Sequence, residues 1–171
     1  MSFTATVRPV RPSDVPAVVA MVHELADFER AADQCHLTTD QLAGVLFDEP
    51  TVFGHVAVDA DDEPVGFALW FLNFSTWRGV HGIYLEDLFV RPRFRGHGLG
   101  RALLARLAAE CVERGYARLE WSVLDWNEPA IGFYRTLGAG PMAEWTTFRL
   151  DGAALRALGS TAPSPTPGTA R

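Results

Sequence analysis

Arg95-Gly96-His97-Gly98-Leu99-Gly100 is the stretch on which the fold of this chain turns. It stands between an apolar run that reads as a strand, residues 84–90, and a helical pattern over residues 98–114. That helix carries Leu99, Ala102, Leu103, Leu107 and Cys111 on one face and stops at Gly115. Glycines at a strand-to-helix turn let backbone N–H groups approach an anion with no Cβ in the way. The helix N-terminus adds unpaired donors and the positive end of its dipole. Arg91, Arg93, Arg95 and Arg101 add charge, and a pyrophosphate is the natural guest. The plain alternative is a tight turn with surface arginines. A dinucleotide site is excluded, because the G-x-G-x-x-G fingerprint needs glycine where Arg101 stands.

Residues 119–124 read as the next strand, so the helix is a crossover long enough to make the two strands it joins parallel. Upstream, residues 65–74 form a nearly continuous apolar strand. It is joined to a strand over residues 53–59 by the turn cluster Asp61-Asp62-Glu63-Pro64, an antiparallel hairpin at the sheet centre. Residues 2–8 read as a short strand. Ser13 is expected to cap a helix whose stripe is Val15, Val18, Val19, Val22, Leu25 and Ala26. Thr38 and Gln41 make a capping box for a short helix to about Leu46, and residues 75–82 read as an irregular loop. Asn127-Glu128-Pro129 opens a helix that Gly138 ends, and residues 145–150 read as a last strand. The expectation is an α/β (α+β) fold with a mixed sheet flanked by helices. One domain is expected over residues 1–158, with a Pro/Thr/Ala/Ser-rich disordered tail over residues 159–171.

A chain of 171 residues with 48% apolar and 21% charged residues is built like one globular domain. No apolar run approaches the ~18 residues a membrane helix needs, so no membrane partner is expected. The first residues lack a basic flank followed by an apolar stretch, so no secretory leader is expected. Cys35 and Cys111 are too few for a disulfide framework and read as reduced thiols of a cytoplasmic protein. All 15 basic residues are arginine. Without lysine, neither a Walker-type phosphate loop nor a pyridoxal Schiff base can form. The net charge is −6, yet residues 91–106 hold five arginines and no acid. A local basic patch on an acidic protein suits a compact polyanion, not a nucleic acid. The histidines, His23, His36, His55, His81 and His97, show no paired spacing, so no metal is expected.

The hexapeptide matches in full the R/Q-x-x-G-x-G/A acetyl-CoA motif of the GNAT N-acetyltransferase superfamily. Tyr84-Leu85-Glu86-Asp87-Leu88-Phe89-Val90 before it and Trp126-Asn127-Glu128-Pro129-Ala130-Ile131-Gly132-Phe133-Tyr134 after it extend the likeness. With Glu24-Leu25-Ala26-Asp27-Phe28-Glu29, they resemble the diamine (spermidine/spermine) and thialysine acetyltransferases, over residues 7–150. The resemblance implies a twisted mixed sheet whose central parallel strands splay apart, with the pantetheine of acetyl-CoA lying in the V. It assigns Leu88, Phe89 and Val90 to backbone pairing with pantetheine. It places Arg95, Gly96, His97, Gly98, Leu99, Gly100 and Arg101 at the pyrophosphate, and Asn127 and Tyr134 against the cofactor. Direct transfer in a ternary complex and a homodimer are implied as well, with Glu144 and Trp145 reaching a neighbouring subunit's site.

Acetyl transfer to an amine requires a proton acceptor, a stabilised oxyanion and a departing thiolate. The matching family glutamate makes Glu86 the expected acceptor, through water. In a regular strand its side chain points away from that of Asp87, which is then expected to be structural. Tyr134, with a phenol pKa near ~10, is the expected acid for the thiolate, and N–H groups near Val90 polarise the thioester carbonyl. Phe28, Glu29, Trp77, Glu86, Trp126, Glu128 and Glu144 favour a small cationic amine as a set. Ser75-Thr76-Trp77 departs from the acidic-Pro-Trp stretch of the polyamine enzymes, and Phe28 lacks their hydroxyl. Polyamine, thialysine and other small primary amines stay open. A non-catalytic acetyl-CoA sensor and a protein or peptide N-acetyltransferase are the competing readings.

Overall fold

The computed structural model describes residues 6–163. Its contacts group the chain into two compact units, one through Leu124 and one from Asp125.

The first unit is a five-stranded sheet with helices. Its strands are β1 (Thr6–Pro9), β2 (Phe53–Val58), β3 (Pro64–Ser75), β4 (Val80–Val90) and β5 (Leu119–Trp121), and the helices are α1 (Val15–Phe28), α2 (Thr39–Ala43) and α3 (Leu99–Arg114). The strands lie in the order β1-β2-β3-β4-β5. All neighbours are antiparallel except β4 and β5, which the α3 crossover makes parallel. The apolar stripe of α1 buries Val15, Val18, Val19 and Met21 against Val56, Phe67, Leu69 and Phe89 of the sheet. The alternate strand residues Ala57, Ala68, Ile83 and Leu85 are buried outside that cluster, and α3 packs on the sheet through Leu99, Leu103, Leu104, Leu107 and Cys111.

Local chemistry departs from the simplest reading in several places. Ser13 does not cap α1. It lies in a 3-10 turn, Pro12–Asp14, and the carboxylate of Asp14 accepts the Arg11 N–H at 2.7 Å and two bonds from Arg8 at 2.7 and 3.1 Å. Thr38 and Gln41 do form the capping box of α2, which runs on as a π-helical turn, Gly44–Asp48. β4 begins at Val80 instead of residue 84, because the turn after β3 closes tightly: Ser75 C=O accepts Gly79 N–H at 2.8 Å. The sheet carries β5 for only three residues instead of the six expected.

The second unit holds α4 (Glu128–Thr136) and α5 (Gly152–Gly159). Asn127 caps α4 with its side chain on Ala130 N–H, as its position before Glu128-Pro129 requires. The strand expected over residues 145–150 is absent. The alternating pattern is there, but a strand needs a ladder partner and none of the described residues provides one. Trp145 and Phe148 are left exposed. α5 has no counterpart in the elements expected from the sequence. It extends to Gly159, so the Pro-rich region departs from helix only after that residue, and residues 164–171 and 1–5 lie outside the described part. Among the described residues no helix is long and apolar enough to cross a membrane.

Candidate active site

β4 and β5 pair only at Ile83, Tyr84 and Leu85, opposite Leu119, Glu120 and Trp121. Beyond Leu85 the strands part, and Glu86, Asp87, Leu88, Phe89 and Val90 present one edge of their backbone without a β5 partner. Three bonds pin the closed end of the V. Tyr84 Oη bonds Ser122 Oγ at 2.8 Å, the Asn73 amide donates to Glu120 at 2.8 Å, and Ile83 N–H donates to Arg118 C=O at 2.9 Å.

At the open end the chain turns through Pro92–Phe94 into the glycine turn. Gly96 and Gly98 have φ of 79° and 80°, a conformation that a Cβ would strain, and nothing lies within 4 Å of where that Cβ would be. Gly98 is the N-cap of α3 and offers no side-chain oxygen to the first-turn N–H groups. Those donors therefore face outward, which is the arrangement an anion needs. Leu99 and Phe89 bury their side chains in the core and can meet a ligand only through backbone.

The arginine patch is smaller than its sequence count. Arg91 pairs with Glu24 at 2.9 Å, and Arg106 pairs with Glu110 and Glu113. Arg95 folds back. Its Nε donates to Val90 C=O at 2.8 Å, and its guanidinium lies 5.4 Å from the Phe28 ring and 5.5 Å from the Phe89 ring. His97 donates from Nδ1 to Arg95 C=O at 2.9 Å and holds the turn closed. Arg101, at the start of α3, forms no hydrogen bond or ion pair with any described residue.

The ladder between β3 and β4 contains a bulge. Leu69 pairs with Asp87 and the next residue, Trp70, pairs with Leu85, so Glu86 is the extra residue. Cross-strand partners share a face. Asp87 therefore lies on the α1 side with Leu69 and Phe89, while Leu85, two residues before it, lies on the other side with Trp70. The bulge thus interrupts the regular alternation of β4 between Leu85 and Asp87. Glu86 is exposed and Asp87 is half-buried. Burial, the charge of Glu86 and the charge of Glu29 push the Asp87 pKa up to about 6, and burial also raises that of Glu29 just past α1. Glu29, Glu86 and Asp87 thus form one acidic group in the first unit. Asp87 is the member that sequence reading set aside. The one local signal was two consecutive acids inside an apolar strand.

The other expected residues belong to further elements of the two units. Trp77 is 90% exposed on the β3–β4 turn, and Phe28 is partly exposed at the end of α1. Asn127, Glu128 and Tyr134 belong to α4 and its cap, where Tyr134 lies 5.4 Å from Phe133, ring to ring. Trp126 precedes that cap, and Glu144 is exposed in the segment after α4. Among the described residues no group of three or more His, Cys, Asp or Glu is arranged to hold a metal ion.

A mixed sheet opened between two parallel strands, with a glycine turn leading to a helix N-terminus without a side-chain cap, is the arrangement this chain presents. The chain belongs to the acetyltransferase (GNAT) family, whose model matches residues 18–139. A thialysine N-epsilon-acetyltransferase of Bos taurus is 35% identical over 164 residues, covering 89% of this chain and 95% of its own length. Its counterpart in Caenorhabditis elegans is 38% identical over 149 residues, covering 85% and 91%. A solved integron cassette protein from the mobile metagenome of V. cholerae shares the fold with a TM-score of 0.77 at 26% identity, covering 94% of this chain and 99% of its own. The chain is an acetyl-transferring enzyme of a family that draws acetyl from acetyl-CoA.

Proposed function

We propose that this enzyme transfers acetyl from acetyl-CoA to the primary amine of a small cationic substrate, directly within a ternary complex. The open β4 edge running into the glycine turn is the observation that carries this reading. Leu88, Phe89 and Val90 offer backbone to the pantetheine, and the N–H groups of Gly96, Gly98, Leu99 and Gly100, with Arg101, take the pyrophosphate. Residues 1–158 act as one catalytic domain on this reading, since the family match runs across residues 124 and 125.

An alkylammonium of pKa ~10.4 holds its proton at pH 7, and freeing the lone pair costs about 4.6 kcal/mol. The acidic group of Glu29, Glu86 and Asp87 favours a cation at the splay and supplies the proton acceptor, for which Glu86 is the family position. Tyr134 protonates the departing thiolate, a role that rests on the Asn127-to-Tyr134 match to the family. Tyr134→Phe is expected to leave acetyl-CoA affinity within about twofold and to lower kcat at least about tenfold, as removal of a general acid does. Calorimetry and steady-state rates check the two halves.

Similarity to thialysine acetyltransferases supports thialysine as a substrate, and the acidic group also suits other small amines, di- and polyamines included. Thiol release from acetyl-CoA with thialysine, lysine, putrescine, spermidine, spermine and short peptides, with mass-spectrometric identification of the product, tests the reading. Acetylation of small amines over peptides is expected. Micromolar CoA binding with no release by any amine would make the chain a sensor instead.

A further inference from the structure

A cavity of about 360 Å³ lies between the π-helical turn, β2, β3 and the last turn of α3, lined by Phe47, Phe53, His55, Trp70, Glu110 and Arg114 among others. Arg114 ends α3, whereas the glycine turn opens it. The 16 residues of that helix, at 1.5 Å each, put about 22 Å between its ends. Phe53 pairs with Trp70 and His55 with Ala68, on the face of the sheet turned away from α1. Phe53 stacks on Trp70 with ring centroids 4.6 Å apart, and Phe53 and Phe47 both stay exposed. His55 is only 7% exposed, and Trp70 Nε1–H donates to its Nδ1 at 3.3 Å. An indole N–H can only donate, so Nδ1 carries no proton and the ring's N–H is at Nε2. Among the described residues that Nε2–H has no partner, and it is not sealed from solvent. The cavity therefore has one directed donor, fixed in its tautomer by Trp70.

The charges around that donor are already spent. One carboxylate oxygen of Glu110 accepts from Arg106 and the other from Arg114. A cation finds both oxygens of Glu110 taken, and an anion finds Arg114 held by the same carboxylate. Burial keeps the His55 pKa below the ordinary histidine value, while Glu110 and Arg106 act on it with opposite signs, so the ring is neutral at pH 7. We propose that this cavity is a second ligand site, for a neutral, flat aromatic compound of one or two rings whose ring nitrogen or carbonyl oxygen accepts the His55 Nε2–H. Its volume lies in the range of small-molecule pockets, and Phe47 and Phe53 supply aromatic surface for such a ring. The neutrality of the site sets it apart from the acidic group near the splay, and its place at the far end of α3 sets it apart from the glycine turn.

Titration of the full chain with quinoline at pH 7.5, followed by NMR at the Trp70 indole N–H and the His55 ring, tests the site. Both signals are expected to shift with a Kd below about 1 mM, within reach of a ligand of about ten non-hydrogen atoms. N-methylquinolinium, which has the same rings with a positive charge and no acceptor, and quinoline-4-carboxylate, which is negative, are expected to bind at least about tenfold more weakly. His55→Asn keeps an acceptor for Trp70 and removes the Nε2–H, and should weaken quinoline by at least about tenfold. Phe47→Ala changes an exposed side chain that the fold does not depend on, and should weaken it about fivefold. Saturating CoA is expected to leave the quinoline Kd within about twofold. Quinoline that shifts neither signal, charged analogues that bind as well as quinoline, affinity untouched in both variants, or displacement by CoA would each overturn the assignment. None of these outcomes bears on the acetyl transfer proposed above, which the amine panel tests separately.

Discussion

Asp87 ionises against its own burial and against the charges of Glu86 and Glu29, which together hold its pKa at about 6. In the unfolded chain the same carboxyl titrates near ~3.9. Between those values the folded protein keeps a proton that the unfolded chain has released. Stability is therefore greatest below pH 4 with respect to this group, and it declines as pH rises through 6. About 2 pKa units correspond to a penalty of up to about 3 kcal/mol at pH 7 and above. Asp87→Asn removes it. Chemical denaturation at pH 7.5 is expected to find the variant more stable than wild type by up to about 3 kcal/mol, with the difference shrinking toward zero at pH 4. A variant equally stable or weaker at pH 7.5 would mean that Asp87 is not held as an unpaired anion. The resemblance assigns the acceptor role to Glu86, and regular strand alternation would put Asp87 on the opposite face. The bulge that breaks the alternation comes from the pairing of Leu69 and Trp70 with β4, which no residue near Glu86 announces.

β4 and β5 are the elements whose separation makes the proposed site, and their junction is packed without slack. A Cβ on Gly82 would stand 2.6 Å from Asn73 Oδ1, 2.8 Å from Arg118 Cγ and 3.1 Å from Arg118 C=O. Asn73 can yield only by giving up its bond to Glu120, and the Arg118 carbonyl is fixed by Ile83 N–H. Gly82→Ala is therefore expected to destabilise the protein by about 1–3 kcal/mol, the usual cost of overpacking, and urea unfolding measures it. A loss under 0.5 kcal/mol, on the scale of surface substitutions, would contradict so tight a junction. Elements with local signatures were legible: the α1 stripe, the Thr38–Gln41 box, the Asn127 cap and the glycine stop at Gly115 all stand where their residues put them. Those that depend on a partner were not. β5 stops after three residues, and residues 145–150 have a strand's pattern without a strand's ladder.

At the scale of the molecule, the mixed sheet follows from the crossover helix between β4 and β5, and the family resemblance from the glycine turn together with residues 24–29, 84–90 and 126–134. Charge was the weaker guide. The patch of five arginines is partly spent on Glu24, Glu110 and Glu113, and Arg95 is folded onto the protein. On the proposed reading, what is left to hold a phosphate-bearing donor is mostly backbone: the open edge of β4 and the N–H groups of the glycine turn. This division of labour is the central claim, and amide hydrogen exchange with and without acetyl-CoA tests it most directly. Protection is expected at Leu88, Phe89 and Val90 and through Gly96, Gly98, Leu99 and Gly100, with β1 and β2 unchanged. Tight binding of acetyl-CoA that leaves those amides exchanging at their free rates would contradict it.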